Sequence, residues 1–331
     1  MNAGRVAVFV LAAATSLGAS AVLVTRLERI GARLGFTEAM LGVVAALAAD
    51  MPEISSAVTA LARGERSIGV GVIFGSNTFN LAALLGLSAI VAGSIRFHRR
   101  VVVFEGFVAC AMAAVSLAVV MRWIPAAAGL ILALVVVVPY LVATGASSRI
   151  LRRLPIPDRW IAWLSGTLRE EEAELQPAIH PRRGHAVDVL GAVLSLVLVV
   201  GASVVMEQTG SAIGAELGLS SIFIGGVLLA AVTSLPNAVA AVYLAARGRG
   251  AATLSVALNS NTLNVLAGFL IPAVIVGSFA SAAGTVLTVG WYAAITAIAL
   301  ILAFAGGGLG RWAGATIIAA YCVFVILVVR V

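Results

Sequence analysis

The chain has 331 residues, of which 62% are hydrophobic and only 11% charged, and its mean hydropathy is +1.12. Water-soluble domains carry about 25% charged residues, so this sequence lacks the polar side chains to cover a surface in water. It reads as an integral membrane protein. All 21 basic residues are arginine, and against 14 acids they give a net charge of +7. They sit between apolar runs rather than along one face, which fits cytoplasmic anchoring and not a nucleic-acid surface. Cys110 and Cys322 both lie inside apolar runs, which predicts core filler rather than a disulfide or a metal site.

A hydrocarbon core of about 30 Å is crossed by about 20 apolar residues in a helix. That ruler predicts ten spans, near 5–24, 36–62, 68–93, 101–121, 124–144, 187–206, 219–246, 251–277, 284–305 and 312–329. The runs are continuous rather than alternating, so the fold is all-α and polytopic, not a barrel. The first run has a weak basic flank and is long enough to span, so it reads as a helix rather than a cleaved signal. Between the fifth and sixth spans, residues 146–186 carry Arg149, Arg152, Arg153, Arg159, Glu170 to Glu172, Glu174, Arg182 and Arg183. This stretch reads as a solvated linker between two five-helix halves, 1–145 and 187–331. Positive loops stay in the cytoplasm. With both termini outside, sixteen arginines fall on the inner side, and Arg5, Arg63, Arg66, Arg122 and Arg330 on the outer one. The linker is then cytoplasmic and the chain a multi-pass protein of the cell membrane.

The two halves repeat each other. At an offset of 184, Pro52 returns as Pro236, Arg63-Gly64 as Arg247-Gly248, Ser76-Asn77-Thr78 as Ser260-Asn261-Thr262, Asn80 as Asn264, and Gly93-Ser94 as Gly277-Ser278. Upstream, Leu34-Gly35 pairs with Leu217-Gly218 at an offset of 183, so one residue has been gained or lost near Gly42 and Gly225-Gly226. The repeats therefore cover about 34–94 and 217–278. The first starts on an outward-running helix and the second on an inward-running one, so they are inverted, an arrangement that sets a binding site between discontinuous helices near the midplane. Pro52 and Pro236 each fall mid-span, where proline kinks a helix and frees a carbonyl.

Asp50 and Glu53 lie deep in a span, where an ionisable side chain is costly and marks function. Spaced by three, they share one helical face. Glu105 and Asp188 fall near span ends and are expected to be solvated. The second copy offers Thr233, Ser234 and Asn237, and the third and eighth spans add Ser76, Asn77 and Asn80 facing Ser260, Asn261 and Asn264. Carboxylate, hydroxyl and amide oxygens of this kind suit a hard cation. His98, His180 and His185 all fall in loops, which argues against a zinc site. The expected ligand set is Asp50, Glu53, Ser76, Asn80, Thr233, Ser234, Asn237, Ser260 and Asn264, with no cofactor and no catalytic residue. The expected partners are the lipid bilayer and the transported cations, with no nucleic acid.

Two motifs carry a family resemblance. Asp50-Met51-Pro52-Glu53 with Gly75-Ser76-Asn77-Thr78-Phe79-Asn80, and Thr233-Ser234-Leu235-Pro236-Asn237 with Asn259-Ser260-Asn261-Thr262-Leu263-Asn264, resemble the two alpha repeats of the cation/calcium exchangers. The resemblance implies alternating access, with the first and sixth helices sliding past a core formed by the repeats. It implies that Glu53 is the ion-binding glutamate and that Thr233, Ser234, Ser76, Ser260, Asn80 and Asn264 support it. Three positions depart from the family pattern: Asn237 stands where a second glutamate is usual, Asn264 where an acid is frequent, and Asp50 where a serine is usual. The carboxylate count is thus two, both from one repeat. If both ionise, the site suits calcium; if one of this close pair holds a proton, it suits sodium or proton exchange. Other readings are an altered cargo on the same fold, an intramembrane enzyme using Asp50 and Glu53, and an ion sensor without flux.

Overall fold

Backbone groups in lipid have no water to bond, so apolar runs of this length satisfy them internally as helices. The computed structural model describes residues 3–36, 38–145, 166–167, 184–277 and 282–330. The first half contains α1 (Ala3–Leu34), α2 (Glu38–Ala49), α3 (Met51–Ala62) and α4 (Arg66–Asn80). A π-helical segment, Leu81–Leu87, continues α4 into α5 (Ser88–Ala92), and β1 (Ser94–Arg96), α6 (Arg99–Val120) and α7 (Ala126–Gly145) follow. The second half contains α8 (Ala186–Glu216) and α9 (Ser221–Phe223), which a π segment at Ile224–Leu229 joins to α10 (Ala230–Ala246). Then come α11 (Gly250–Leu263), a π segment at Asn264–Leu270, α12 (Ile271–Val276), α13 (Ala283–Gly306), β2 (Gly308–Gly310) and α14 (Arg311–Val329).

Among the described residues, nine helices are long and apolar enough to cross a membrane, and the pair α2 and α3, bent by 51° at Asp50, makes a tenth span. Most of the predicted linker, with its charges and His180, lies outside the described residues, as does Ser278 of the repeat. The repeat is visible in the backbone. Gly35 and Gly218, Gly64 and Gly248, and Gly93 and Gly277 all have positive φ, between 68° and 86°, which glycine adopts without strain. Each pair closes equivalent helices in the two halves.

Burial separates a core from its flanks. The span Arg66–Ala92 is 94% buried over its most apolar window, against 28% for α1 and α8. These two flanking helices, at 32 and 31 residues, outrun the predicted 5–24 and 187–206. At 1.5 Å per residue each is over 45 Å long, more than the hydrocarbon thickness, which calls for tilt or for ends in the interface. They pair with each other: the Ser16 and Ser203 hydroxyls bond at 2.8 Å, Arg5 pairs with Glu216 at one end, and Arg26 reaches Asp188 at 2.6 Å at the other.

Inside the core, α4 crosses the π segment of the second half backbone to backbone. A Cβ on Gly75 would lie 2.2 Å from the Gly226 carbonyl oxygen, and one on Gly225 2.2 Å from that of Ile68. Small residues permit such approach, and the gain is packing, because lipid supplies no hydrophobic drive between helices. At the arginine-rich end, β1 and β2 pair antiparallel with Ile95 opposite Leu309, a short ribbon that the apolar pattern did not foreshadow.

Three expectations are corrected. Cys110 and Cys322 are free and exposed, so they fill no core. Asp188 is 4% exposed, because the His185 N–H at 2.8 Å and the Arg26 and Arg29 guanidiniums compensate its charge. Glu105 is 2% exposed and accepts a bond from the Ser255 hydroxyl. Gly75→Ala is expected to destabilise the protein by about 1–3 kcal/mol through overpacking. The control Gly290→Ala adds a methyl where nothing lies within 4 Å. Thermal unfolding in detergent should show a lower midpoint for the first and little change for the second; equal midpoints would show that the crossing is not tight.

Candidate cation-binding site

The site begins with a proline. Pro52 has no N–H to give the Ala48 carbonyl four residues back, so the helix bends there. Ser20 of α1 donates to that carbonyl at 2.9 Å and to Ala49 at 3.4 Å, replacing the lost partner. The bend turns Asp50 and Glu53 into the interior, where both are 0% exposed. The second half reaches the equivalent place differently. Its helix runs through Pro236 without a break, and the extra residue near Gly225-Gly226 is taken up by the π segment Ile224–Leu229, in which each i→i+5 turn holds one residue more than an α turn.

The two halves then clasp each other. Ser234 Oγ donates to Glu53 Oε1 at 2.6 Å, and Asn237 Nδ2 to Asp50 Oδ1 at 2.7 Å. At the repeat offset of 184, Ser234 is the counterpart of Asp50 and Asn237 of Glu53, so these two bonds are each other's mates. Ser260 Oγ adds a second bond to Asp50 Oδ1 at 2.7 Å, and Asn264 Nδ2 bonds Glu53 Oε2. Asn80 Nδ2 donates to Ser260 Oγ and to Asn261 Oδ1, each at 3.1 Å. Asn77 and Asn261 exchange side-chain to backbone bonds at 3.1 and 3.0 Å, joining α4 to α11 across the pseudo-two-fold.

Oxygens are left over. Asp50 Oδ2, Ser76 Oγ, Asn80 Oδ1 and Asn264 Oδ1 are all buried and accept no hydrogen bond, although each amide has spent its N–H groups on neighbours. Buried polar atoms of this kind are normally satisfied. If both carboxylates ionise, four hydrogen bonds do not cancel the two charges, and a buried uncompensated charge costs several kcal/mol. A hard cation answers both deficits, since it brings charge and takes oxygen ligands. Among the described residues no group of three or more His, Cys, Asp or Glu gathers, so two carboxylates set the charge of the site.

Hydrogen bonds thus join seven of the nine expected residues, and Ser76 is buried on α4 one turn before Asn80. Thr233 differs: its hydroxyl bonds back to Leu229 and Ala230 of its own helix at 3.0 and 3.2 Å. Asn237 points its N–H at Asp50 and Ser260 and is a donor to a carboxylate. Asn77 and Asn261 stand outside the expected ligand set, although their reciprocal spacing of 184 was visible in the repeat.

The family model described as sodium/calcium exchanger protein matches residues 5–148 and 187–330. The chain belongs to this family. It is therefore a multi-pass membrane exchanger of cations and not an enzyme. Solved structures share the fold at low identity. A structure titled as an H+/Ca2+ exchanger CAX aligns over 98% of this chain and 86% of its own, with a TM-score of 0.72 and 12% identity. The native YfkE structure covers 98% and 92%, with a TM-score of 0.65 and 16% identity. The sodium-calcium exchanger NCX_Mj soaked with Na+ and Sr2+ covers 97% of each chain, with a TM-score of 0.61 and 18% identity. No curated protein matches the chain.

If the two carboxylates hold a cation, saturating calcium at 100 times its Kd should stabilise the wild type by about 2.7 kcal/mol. Asp50→Asn and Glu53→Gln should each keep the fold and lose that gain. Thermal midpoints with and without calcium read this directly; a full shift in both variants would place the ion elsewhere.

Proposed function

We propose that this family member exchanges calcium for sodium or protons, with the cation held near the membrane midplane between Asp50 and Glu53 of one repeat and the amide and hydroxyl oxygens of both. The observation that carries this reading is the set of unsatisfied buried oxygens, Asp50 Oδ2, Asn80 Oδ1 and Asn264 Oδ1, within the hydrogen-bonded cluster of the two carboxylates. Two negative charges match one divalent ion, and Asp50 supplies the carboxylate that Asn237 lacks. The arginine-rich end, with Arg26, Arg96, Arg247 and Arg311, is placed in the cytoplasm of the cell membrane and both termini outside.

Alternating access follows from the division into core and flanks. The α1 and α8 pair touches the core through few polar bonds, such as that of Ser20 to Ala48, and is tied to itself at both ends and in the middle. It slides as one body and uncovers the site toward either side in turn.

Two experiments test this. Liposomes carrying the purified protein should take up radioactive calcium under an imposed sodium or proton gradient, and the gradient that drives uptake names the coupling ion. Glu53→Gln should abolish the flux, and absence of uptake under both gradients would contradict the calcium reading. In a background lacking Cys110 and Cys322, a disulfide between Ser16→Cys and Ser203→Cys should leave transport within about twofold of the reduced protein, given the 2.8 Å contact of the parent hydroxyls. Arrest on oxidation, reversed by reductant, would show that the two helices move separately.

A further inference from the structure

A second pair of carboxylates lies away from the central site. Glu207 of α8 is 0% exposed, and neither of its oxygens has a hydrogen-bond partner. Opposite it, in the turn between α3 and α4, Arg63 Nη2 pairs with Glu65 Oε1 at 3.2 Å, while Nη1 stands 3.6 Å from Glu207 Oε2. Ser211, one turn beyond Glu207 on the same face of α8, donates to Glu65 Oε2 at 3.2 Å. The cluster holds two carboxylates against one guanidinium, and the buried member meets that guanidinium only at arm's length. A buried carboxylate in this position, with a second carboxylate beside it, is stabilised by a cation that comes closer or by taking up a proton.

The repeat does not duplicate this pair. The offset of 183 sets Val24 opposite Glu207, and that of 184 sets Arg249 opposite Glu65. One end of the bundle therefore carries carboxylates where the other carries an aliphatic side chain and an arginine. Ser203, Glu207 and Ser211 recur every four residues, a polar strip along α8, which packs beside α3. On α3, Ser56 lies between Glu53 and Arg63 in the chain, and its hydroxyl is buried without a partner. By position along α3, one unsatisfied oxygen, that of Ser56, thus lies between the Arg63 end and Glu53.

We propose that Glu207, Glu65 and Ser211 form a second binding station for a hard cation, at the Arg63 end of the seam between α8 and the core. Arg63 holds the place of that cation in this structure: its guanidinium supplies the positive charge that an arriving ion brings. The station rests on the reading of the chain as a cation exchanger, and adds to it a separate binding step on the path to the central site. Arginine and ion compete, so removing the arginine favours the ion.

Equilibrium dialysis of radioactive calcium against the purified full chain in detergent reads the two sites apart. The wild type is expected to bind two calcium ions, the double variant Asp50→Asn/Glu53→Gln one, and that variant with Glu207→Gln none. Arg63→Gln should tighten the second site about tenfold. A misfolded variant cannot gain affinity, so this arm decides the matter if Glu207→Gln unfolds. A double variant that binds no ion overturns the station, as does an unchanged second Kd in Arg63→Gln. A double variant that keeps the wild-type count contradicts the central site instead. Glu207→Gln then decides the station alone: loss of one ion supports it, and no loss overturns it.

Discussion

Two hydrogen bonds related by the internal two-fold, Ser234 to Glu53 and Asn237 to Asp50, hold the halves of this protein together at its centre. Neither half can complete the site, because the charges sit on one repeat and the donors that hold them on the other. Each carboxylate buried in the first half costs free energy that only the second half offsets. Halves that each fold as helices in lipid are thereby bound to one register, which fixes where Asn80, Ser260 and Asn264 present their oxygens.

The repeats are equivalent in sequence position and unequal in geometry. The first breaks at Asp50 and bends by 51°, while the second absorbs one extra residue in a π segment and continues unbroken through Pro236. Both solutions bring a polar step to the same depth. The difference matters chemically: the broken helix carries the two carboxylates, and the continuous one carries neutral donors. The site is therefore charged on one wall.

Much of this was legible in the residues. Apolar runs of about 20 gave the spans, because lipid length fixes helix length. The recurrence of Pro, Arg-Gly, Ser-Asn-Thr and Asn gave the repeat, and its glycines proved to be helix ends with positive φ. Asp50 and Glu53 stood out because charge is rare at that depth. Which atoms of the amides do what was not legible, since an asparagine offers both an N–H and an oxygen and the residue type does not say which is spent. At Asn237 the N–H is spent on Asp50, which the residue type did not foretell. Glu207 was hidden by the span ruler, which stopped the helix at 206, whereas α8 continues to Glu216 and buries it. The cysteines misled in the opposite sense: in a membrane protein an apolar run faces lipid as readily as core.

The account stands or falls on where the cation lies. A crystal structure of the protein soaked in strontium, with anomalous differences to locate the metal, tests that most directly. The account predicts a peak between α3, α4 and α11, with oxygens of Asp50, Glu53, Asn80 and Asn264 within the roughly 2.3–2.6 Å typical of calcium-like ions. A peak held by Thr233 and the second half alone, or no peak between Asp50 and Glu53 while transport is intact, would contradict it.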